Sequence, residues 1–185
     1  MDDILDIIDE NGNELGFTKL KSKAHKDGDW HRGAHLWIIK DSKILLQKRS
    51  PNKNFFPNCF DVACGGHVSS GETYEETIVR EVKEELGLEI KKEELVFIEK
   101  RKQVSVTKES NLISREILEV YLFRFNGDIN DLKLKADEVS EIRLFDPSEL
   151  LEMMKTKPEM FVDDEQYFFE IIHKIKAMMS DSLHC

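Results

Sequence analysis

Apolar runs separated by turn residues predict a strand-rich chain with a few helices. Stretches typical of strands occur at ILDII, AHLWII, KILLQKRS, ELVFIEKRKQVSV, REILEVYLFRF and VSEIRLFD. An Asn11-Gly12 turn after the first stretch indicates a β-hairpin. The stretch CFDVACGG reads as one short apolar strand ending on two glycines. Because strands and helices do not alternate regularly, we expect the α/β class, with a mixed sheet packed between helices.

The length and composition fit one domain that spans residues 1–185. Hydrophobic residues make up 40% of the chain, which is enough for a packed core. Within this domain we expect an N-terminal hairpin and short helix over residues 1–30. A stripe of apolar residues predicts a C-terminal helix over residues 164–180.

The segment from Gly65 to Ile90 predicts an acidic helix with defined ends. Thr73 and Glu76 form a capping-box pattern at its start, and Gly87 suits the left-handed position after its end. On a helical wheel, Ile78 and Val82 lie on an apolar stripe that faces a core.

Three glutamates of this helix lie beside the apolar stripe. Glu81, Glu84 and Glu85 are spaced at i, i+3 and i+4, so like charges become neighbours on one surface. An acidic solvent-exposed helix is the plain alternative. The preceding CGGHVSSGE loop favours a metal–phosphate site, because its glycines allow close backbone approach. Mg²⁺ or Mn²⁺, which prefer oxygen ligands, would relieve the repulsion.

This segment resembles the Nudix box, whose pattern is G-x5-E-x7-R-E-U-x-E-E-x-G-U with U apolar. Every spacing of the pattern is kept, and the matching residues are Gly66, Glu72, Arg80, Glu81, Val82, Glu84, Glu85, Gly87 and Leu88. The resemblance implies a Nudix-type α/β/α sandwich. It also implies hydrolysis of a phosphoanhydride in a nucleoside diphosphate derivative or similar small diphosphate.

The resemblance also implies a role for each motif residue. Glu81, Glu84 and Glu85 match the family's metal ligands, and Gly66 matches a glycine whose carbonyl joins them. Arg80 matches the arginine that orients the carboxylates. Glu72 and Gly87 are structural parts of the motif. Glu84 is one candidate for the general base, and Glu138 or Glu141 on a later loop are the alternatives.

Several stretches are also similar to the isopentenyl-diphosphate isomerase branch of this fold, notably AHKDGDWHRGAHLWII and CGGH. In that branch a catalytic cysteine acts beside a metal held by histidines and glutamates. The corresponding residues form an alternative isomerase site: Cys64, His25, His31, His67 and Glu116.

Each of these residues has an ordinary structural alternative. Cys64 ends an apolar strand and would serve as a buried small hydrophobe. His31 and His67 would be structural histidines, His25 is expected at the surface, and Glu116 would pair with its neighbour Arg115.

Three departures favour hydrolase over isomerase. The Nudix box is complete, whereas isomerases usually have a degraded one. The spacing from Cys64 to Glu72 is one residue longer than in isomerases. Leu118 stands where isomerases carry the second carboxylate of a Glu-x-Glu pattern. A proton transfer across an allylic system needs an acid and a base on opposite faces. A non-catalytic nucleotide sensor is a third alternative, although it has no reason to keep a hydrolytic metal cluster.

Charge and hydropathy limit the partners. The net charge of −10 argues against nucleic acid, since phosphate-backbone binding needs a basic stripe. No apolar run is long enough for a membrane helix, and the acidic N-terminus lacks the layout of a signal peptide. We therefore expect a cytoplasmic enzyme with a small-molecule diphosphate substrate and no membrane partner. The oligomeric state stays open, with a homodimer as one alternative.

Overall fold

The structure is a computed structural model that describes residues 2–53, 56–107, 112–162 and 164–181, without the side chains of 107 and 181. These residues form two compact units. The first unit comprises Met1–Leu36, Cys64–Glu84 and Glu89–Leu122, and the second comprises Trp37–Ala63, Glu85–Leu88 and Phe123–Cys185. The expectation of a single domain over residues 1–185 stays a prediction.

The strands and helices follow the order that the sequence pattern predicts, except at CFDVACGG, where two strands replace one. They are β1 (Ile4–Ile8), β2 (Glu14–Leu20), α1 (Lys21–Asp27), β3 (Trp30–Lys40), β4 (Lys43–Arg49), β5 (Phe60–Asp61), β6 (Cys64–His67), α2 (Tyr74–Leu86), β7 (Val96–Thr107), β8 (Leu112–Arg124), β9 (Val139–Phe145), α3 (Pro147–Thr156) and α4 (Glu165–Asp181). Short 3-10 turns occur at Lys92–Glu94, Ile129–Asp131 and Pro158–Met160.

The first unit is built around the N-terminal part of β3. Strand β1 pairs antiparallel with β2 and touches β3 at one point, where Ile8 is opposite Trp30. Strand β6 pairs antiparallel with β3 from Gly33 to Leu36, and β8 also borders β3. Strands β7 and β8 form a long antiparallel pair. This arrangement places the end of β6, where the glycine loop begins, beside the start of β3.

The second unit is built around β4. This strand pairs antiparallel with the end of β3, with β5 and with β9, and Phe60 forms an isolated parallel bridge with Phe161. The indole of Trp37 packs edge-on against Phe168, with ring centroids 5.1 Å apart, and donates a hydrogen bond of 3.0 Å to the hydroxyl of Tyr167. Because all three side chains are buried, this contact belongs to the core.

Both chain ends carry the elements that the sequence predicts. The hairpin of β1 and β2 turns at Gly12, whose φ of 88° only glycine adopts without strain, and α1 follows it. The C-terminal helix, expected over residues 164–180, is α4. Among the described residues, no helix is both long enough and apolar enough to cross a membrane.

The prediction of one strand over CFDVACGG is wrong. The segment forms two short strands, because β5 pairs with β4 in the second unit and β6 pairs with β3 in the first. At the break, the Asp61 carboxylate accepts a hydrogen bond from the amide of Val62 at 2.8 Å. A local side-chain bond of this kind competes with a strand ladder, and apolar patterning does not reveal it.

Candidate active site

Helix α2 has the ends that its sequence predicts. At its start, the Thr73 amide donates to the Glu76 carboxylate at 2.9 Å, and the Glu76 amide donates to the Thr73 hydroxyl at 3.2 Å. These two bonds form the expected capping box. At its end, Gly87 has a φ of 64°, which is the expected left-handed conformation. Ile78 and Val82 are fully buried, so the apolar stripe is confirmed.

Glu72 and Arg80 form the strongest polar contact next to the glycine loop. The guanidinium donates two hydrogen bonds to the two carboxylate oxygens of Glu72, from Nε at 2.9 Å and from Nη2 at 3.0 Å. The Thr77 hydroxyl adds a third bond at 2.9 Å. The bonds from Arg80 lower the pKa of Glu72, and Glu72 in turn raises the pKa of Arg80. Both groups are therefore charged, and the bidentate pairing fixes the plane of the guanidinium.

The same guanidinium positions Glu81. Its Nη1 donates a hydrogen bond of 2.7 Å to Oε1 of Glu81. Burial raises the pKa of Glu81, although the charge of Arg80 acts in the opposite direction. A Cβ atom at Gly66 would lie 2.5 Å from Oε1 of Glu81, so only glycine leaves room for this carboxylate. The Glu81 carboxylate is thus held between Arg80 and the backbone of β6.

The other two motif glutamates have different surroundings. The Glu84 side chain is 50% exposed, and its carboxylate lies 3.9 Å from Nη1 of Arg80. Glu85 is 6% exposed, and in the second unit its carboxylate is 3.4 Å from Nε2 of Gln47. Within the described part of the chain, the buried Oε1 of Gln47 has no hydrogen-bond partner. Carboxylates with this range of exposure supply the oxygen donors that Mg²⁺ and Mn²⁺ prefer, so the chemistry of the motif residues fits such an ion.

Three histidines of the first unit come together in a second site, here called the histidine cluster (His25, His31 and His67). Their ring centroids are 4.9 to 5.1 Å apart. Among the residues that the structure describes, only this group brings three potential His, Cys, Asp or Glu ligand atoms within 4.8 Å of one another. The glutamates of α2 do not form such a group. Helix α1, strand β3 and strand β6 each contribute one ring.

The ring nitrogens of the cluster are arranged as ligands. Nδ1 of His31 donates to the carbonyl oxygen of Asp29 at 3.0 Å, which leaves the lone pair on Nε2. The Nε2 atoms of His25 and His67 face each other at 3.2 Å. Two imidazoles on one tetrahedral zinc ion have their ligand nitrogens about 3.3 Å apart, so this separation suits a shared cation.

Glu116 and Ser114 complete the polar surroundings of the cluster. Oε1 of Glu116 lies 3.6 Å from Nε2 of His67 and 4.0 Å from Nε2 of His31. The Ser114 hydroxyl donates to the same oxygen at 2.6 Å. The Glu116 carboxylate also lies directly against Gly33, where a side chain would collide with it.

Burial sets the charges of this cluster. It lowers the pKa of His25 to about 4 and that of His67 to about 3. Burial also opposes ionisation of Glu116, but the neighbouring imidazoles of His67 and His31 and the Ser114 hydroxyl outweigh it and lower the pKa to about 2. At neutral pH, His25 and His67 are therefore neutral and Glu116 is an ionised carboxylate, which are protonation states that bind a metal.

Two ordinary interpretations of these residues are wrong. His25, expected at the surface, is 8% exposed because α1 packs against β1 and turns the ring inward. Glu116 does not pair with Arg115, whose guanidinium instead donates to the carbonyl of Gly28 at 2.9 Å. Successive residues of a strand face opposite sides of the sheet, so the side chains of Arg115 and Glu116 point apart.

Ser114 was not among the site residues predicted from the sequence. The sequence comparison considered only Leu118 as the position of a second polar group. Leu118 lies on the same face of β8 but is fully buried in the core. The position two residues before Glu116 lies on that face as well, and it holds Ser114, whose hydroxyl is 3.4 Å from Nε2 of both His25 and His31. The two-residue period of a strand was the signal that could have found it.

The remaining predicted site residues are either buried or paired with a cation, which makes them less suited to act on a substrate. Cys64 is fully buried on β6, opposite Leu36 of β3. In the second unit, Glu138 forms ion pairs with Lys53 and Lys135. Glu141 pairs with the guanidinium of Arg143 at 2.6 Å. These carboxylates are engaged by cations of their own unit.

Comparisons with known proteins identify one matching family, together with similar sequences and structures. A sequence model described as the NUDIX domain matches residues 29–165. An uncharacterized Nudix hydrolase of Clostridium acetobutylicum is 34% identical over 164 residues, covering 84% of this chain and 76% of that protein. An isopentenyl-diphosphate Delta-isomerase of Paenarthrobacter aurescens is 26% identical over 156 residues, covering 84% and 82%. A crystal structure of a Deinococcus radiodurans protein superposes with a TM-score of 0.67 at 26% identity, covering 90% and 98%.

In metal-free buffer with EDTA, the free energy of unfolding should fall as the pH decreases below about 6.5, which is the pKa of a histidine in the unfolded chain. The folded pKa values of His25 and His67 lie far below 6.5, so over this window the unfolded chain binds protons that the folded chain excludes. Glu116 acts in the same direction below its ordinary value of 4.5. Thermal melts at about pH 7.5 and about pH 5 measure the loss.

The matched control is the exposed His173 on α4. H173Q should keep the pH dependence of the wild-type melting temperature, whereas H25Q should reduce it. Equal pH dependence in H25Q and wild type would contradict this assignment.

Proposed function

The chain belongs to the Nudix family of hydrolases and has the fold of that family, and we propose that it cleaves a nucleoside diphosphate derivative or a similar small diphosphate. The observation that carries the proposal is the contact in which Arg80 binds Glu72 with two hydrogen bonds and Glu81 with a third. This contact fixes a carboxylate of α2 beside Gly66, which is where the motif requires a metal ligand.

We propose that Mg²⁺ or Mn²⁺ is the cofactor, held by Glu81, Glu84 and Glu85 with the carbonyl oxygen of Gly66. A divalent ion neutralises the charge of a diphosphate and polarises its phosphoryl oxygens. The protein's own contribution is to hold the ligands. Arg80 fixes Glu81, and Glu84, half exposed, remains within reach of a substrate from solvent.

The proposed reaction adds one water molecule across the phosphoanhydride. The water oxygen forms a bond to one phosphorus, and the bond from that phosphorus to the bridging oxygen breaks. One water proton passes to a carboxylate base, and the bridging oxygen leaves on the second phosphate. For a nucleoside diphosphate linked to a group X, the products are a nucleoside monophosphate and the phosphate of X.

Glu84 is the better candidate for the base, on the condition that the metal does not fully engage its carboxylate. Its carboxylate is half exposed and lies 3.9 Å from the guanidinium of Arg80. Glu138 is the alternative, but its carboxylate is shared by two lysines, and a proton taken up there would cost both ion pairs.

The remaining expectations are proposals about partners and location. The net charge of −10 supports a small diphosphate bound through cations rather than a nucleic acid. We propose a cytoplasmic protein without a membrane partner, and a homodimer is one alternative for its oligomeric state.

The histidine cluster favours a second candidate function, which is isopentenyl-diphosphate isomerase. A transition-metal ion such as Zn²⁺ would be held by the three imidazoles and the Glu116 carboxylate. The proposed catalytic thiol weakens this candidate. Because Cys64 is fully buried, a substrate would reach its sulfur only after β6 had moved.

Glu84→Gln should lower kcat by about 100-fold or more if Glu84 is the base, because glutamine has the same shape but accepts no proton. The measurement is phosphate-containing product released from a panel of nucleoside diphosphate derivatives in Mg²⁺ or Mn²⁺. Glu89→Gln, a 78% exposed glutamate just beyond the helix, is the control and should keep wild-type activity. Equal rates for E84Q and E89Q would exclude Glu84 as the base.

His31→Ala should abolish binding of Co²⁺ to the histidine cluster, because it removes a fully buried imidazole whose Nε2 carries a lone pair. Visible absorption of bound Co²⁺ reports nitrogen ligation directly, and His173→Ala is the control.

A second assay follows solvent deuterium entering isopentenyl diphosphate, with Cys64→Ala compared with Cys59→Ala. Exchange that survives C64A would exclude the isomerase mechanism, while wild-type Co²⁺ spectra in H31A would exclude the metal site.

A further inference from the structure

Residues 1–28 precede the part of the chain that matches the NUDIX domain, yet they make ordered contacts with the loop that begins helix α2. Strand β1 reaches this loop through its backbone. The amide of Ser70 donates to the carbonyl of Ile4 at 2.8 Å, and Leu5 forms an isolated β-bridge with Ser69. All of these residues belong to the first unit.

The carboxylate of Asp6 makes the most specific of these contacts. Its Oδ1 accepts a hydrogen bond from the Ser70 hydroxyl at 2.6 Å, and its Oδ2 accepts from the Gly71 amide at 3.2 Å. The same Oδ2 accepts from Nη2 of Arg32 on β3 at 2.8 Å. Burial alone would raise the pKa of Asp6, but the bonds from Ser70, Gly71 and Arg32 outweigh it and lower the pKa. Asp6 is therefore an ionised group that ties β1, β3 and the loop together.

The loop held by Asp6 leads directly to the metal ligands. The Glu72 amide donates to the carbonyl of Ser69 at 3.0 Å, and the Glu72 carboxylate binds Arg80. Arg80 in turn binds Glu81 at 2.7 Å. Every link in this series is a hydrogen bond of ordinary length, so a displacement of the loop at Ser70 would be passed to the carboxylate of Glu81.

We propose that Asp6 is a positioning residue for the metal site, because it fixes the loop that orients Glu72, Arg80 and Glu81. The inference rests on the proposed metal-binding role of the α2 glutamates. It makes the N-terminal hairpin, which lies outside the matched family domain, a functional part of the hydrolase site.

The test compares Asp6→Ala with Asp9→Ala in the full-length protein. Asp9 lies on the same hairpin, and its carboxylate binds Asn11 and Asn13 at 2.8 to 2.9 Å without touching the loop. Both variants remove a carboxylate that organises the hairpin, but only D6A releases the loop. The readout is the dissociation constant for Mn²⁺, measured by electron paramagnetic resonance of the free ion.

We expect D6A to weaken Mn²⁺ binding by about tenfold, as is typical when a group that orients a ligand is removed, and D9A to bind as the wild type does. Asp6→Asn should restore part of the affinity. Its amide can still accept from Gly71 and donate to Ser70, but it carries no charge for Arg32. A role limited to hairpin stability would lower the melting temperature in both variants and leave Mn²⁺ affinity equal.

Ser70→Ala keeps the test decisive if D6A does not fold. It removes one of the Asp6 bonds and should weaken Mn²⁺ binding less than D6A. The D6N/S70A double variant should bind Mn²⁺ more weakly than D6N alone, because it also loses the bond to Ser70 that D6N keeps. Wild-type affinity in D6N and S70A would overturn the role of Asp6 and leave the proposed hydrolase intact. A wild-type protein that binds no Mn²⁺ at all, with E81Q and E84Q indistinguishable from it, would overturn both.

Discussion

The bidentate ion pair between Arg80 and Glu72 is the constraint on which the candidate active site depends. An arginine that shares one guanidinium between two carboxylates brings like charges together without a metal. The same guanidinium also fixes the direction of the Glu81 side chain. The Glu81 carboxylate lies against Gly66, where no side chain would fit. The capping box and the left-handed Gly87 set where α2 begins and ends. Together they determine which residues face Glu72.

We propose metal binding by two groups of side chains with different chemistry. The glutamates of α2 offer oxygen donors, which suit Mg²⁺ and Mn²⁺. The histidine cluster offers neutral imidazoles and the buried Glu116 carboxylate, which suit a softer transition metal. A complete Nudix box beside a histidine cluster is consistent with a hydrolase that is similar in sequence to an isomerase. The buried thiol of Cys64 favours the hydrolase over the isomerase, since proton transfer by this thiol would require contact with the substrate.

Local signals in the sequence predicted helix α2 well, because its caps, its apolar stripe and its motif all lie within one continuous segment. They predicted the histidine cluster only through a resemblance, and they placed His25 at the surface. Rings from α1, β3 and β6 meet only after the strands have paired, and no spacing along the chain encodes that meeting. The same limit explains why Ser114 and Asp6 were missed. Each acts on residues far away in sequence, through a strand register or a loop contact that apolar patterning does not report.

Anomalous diffraction at the manganese edge, from crystals grown with Mn²⁺ and a non-hydrolysable diphosphate analogue, would show directly where the metal binds. We expect manganese bound by the carboxylates of Glu81, Glu84 and Glu85 and by the carbonyl of Gly66, in contact with the diphosphate. The Arg80 guanidinium should keep both hydrogen bonds to Glu72. Manganese and diphosphate bound only at the histidine cluster, with the α2 carboxylates in solvent, would contradict it.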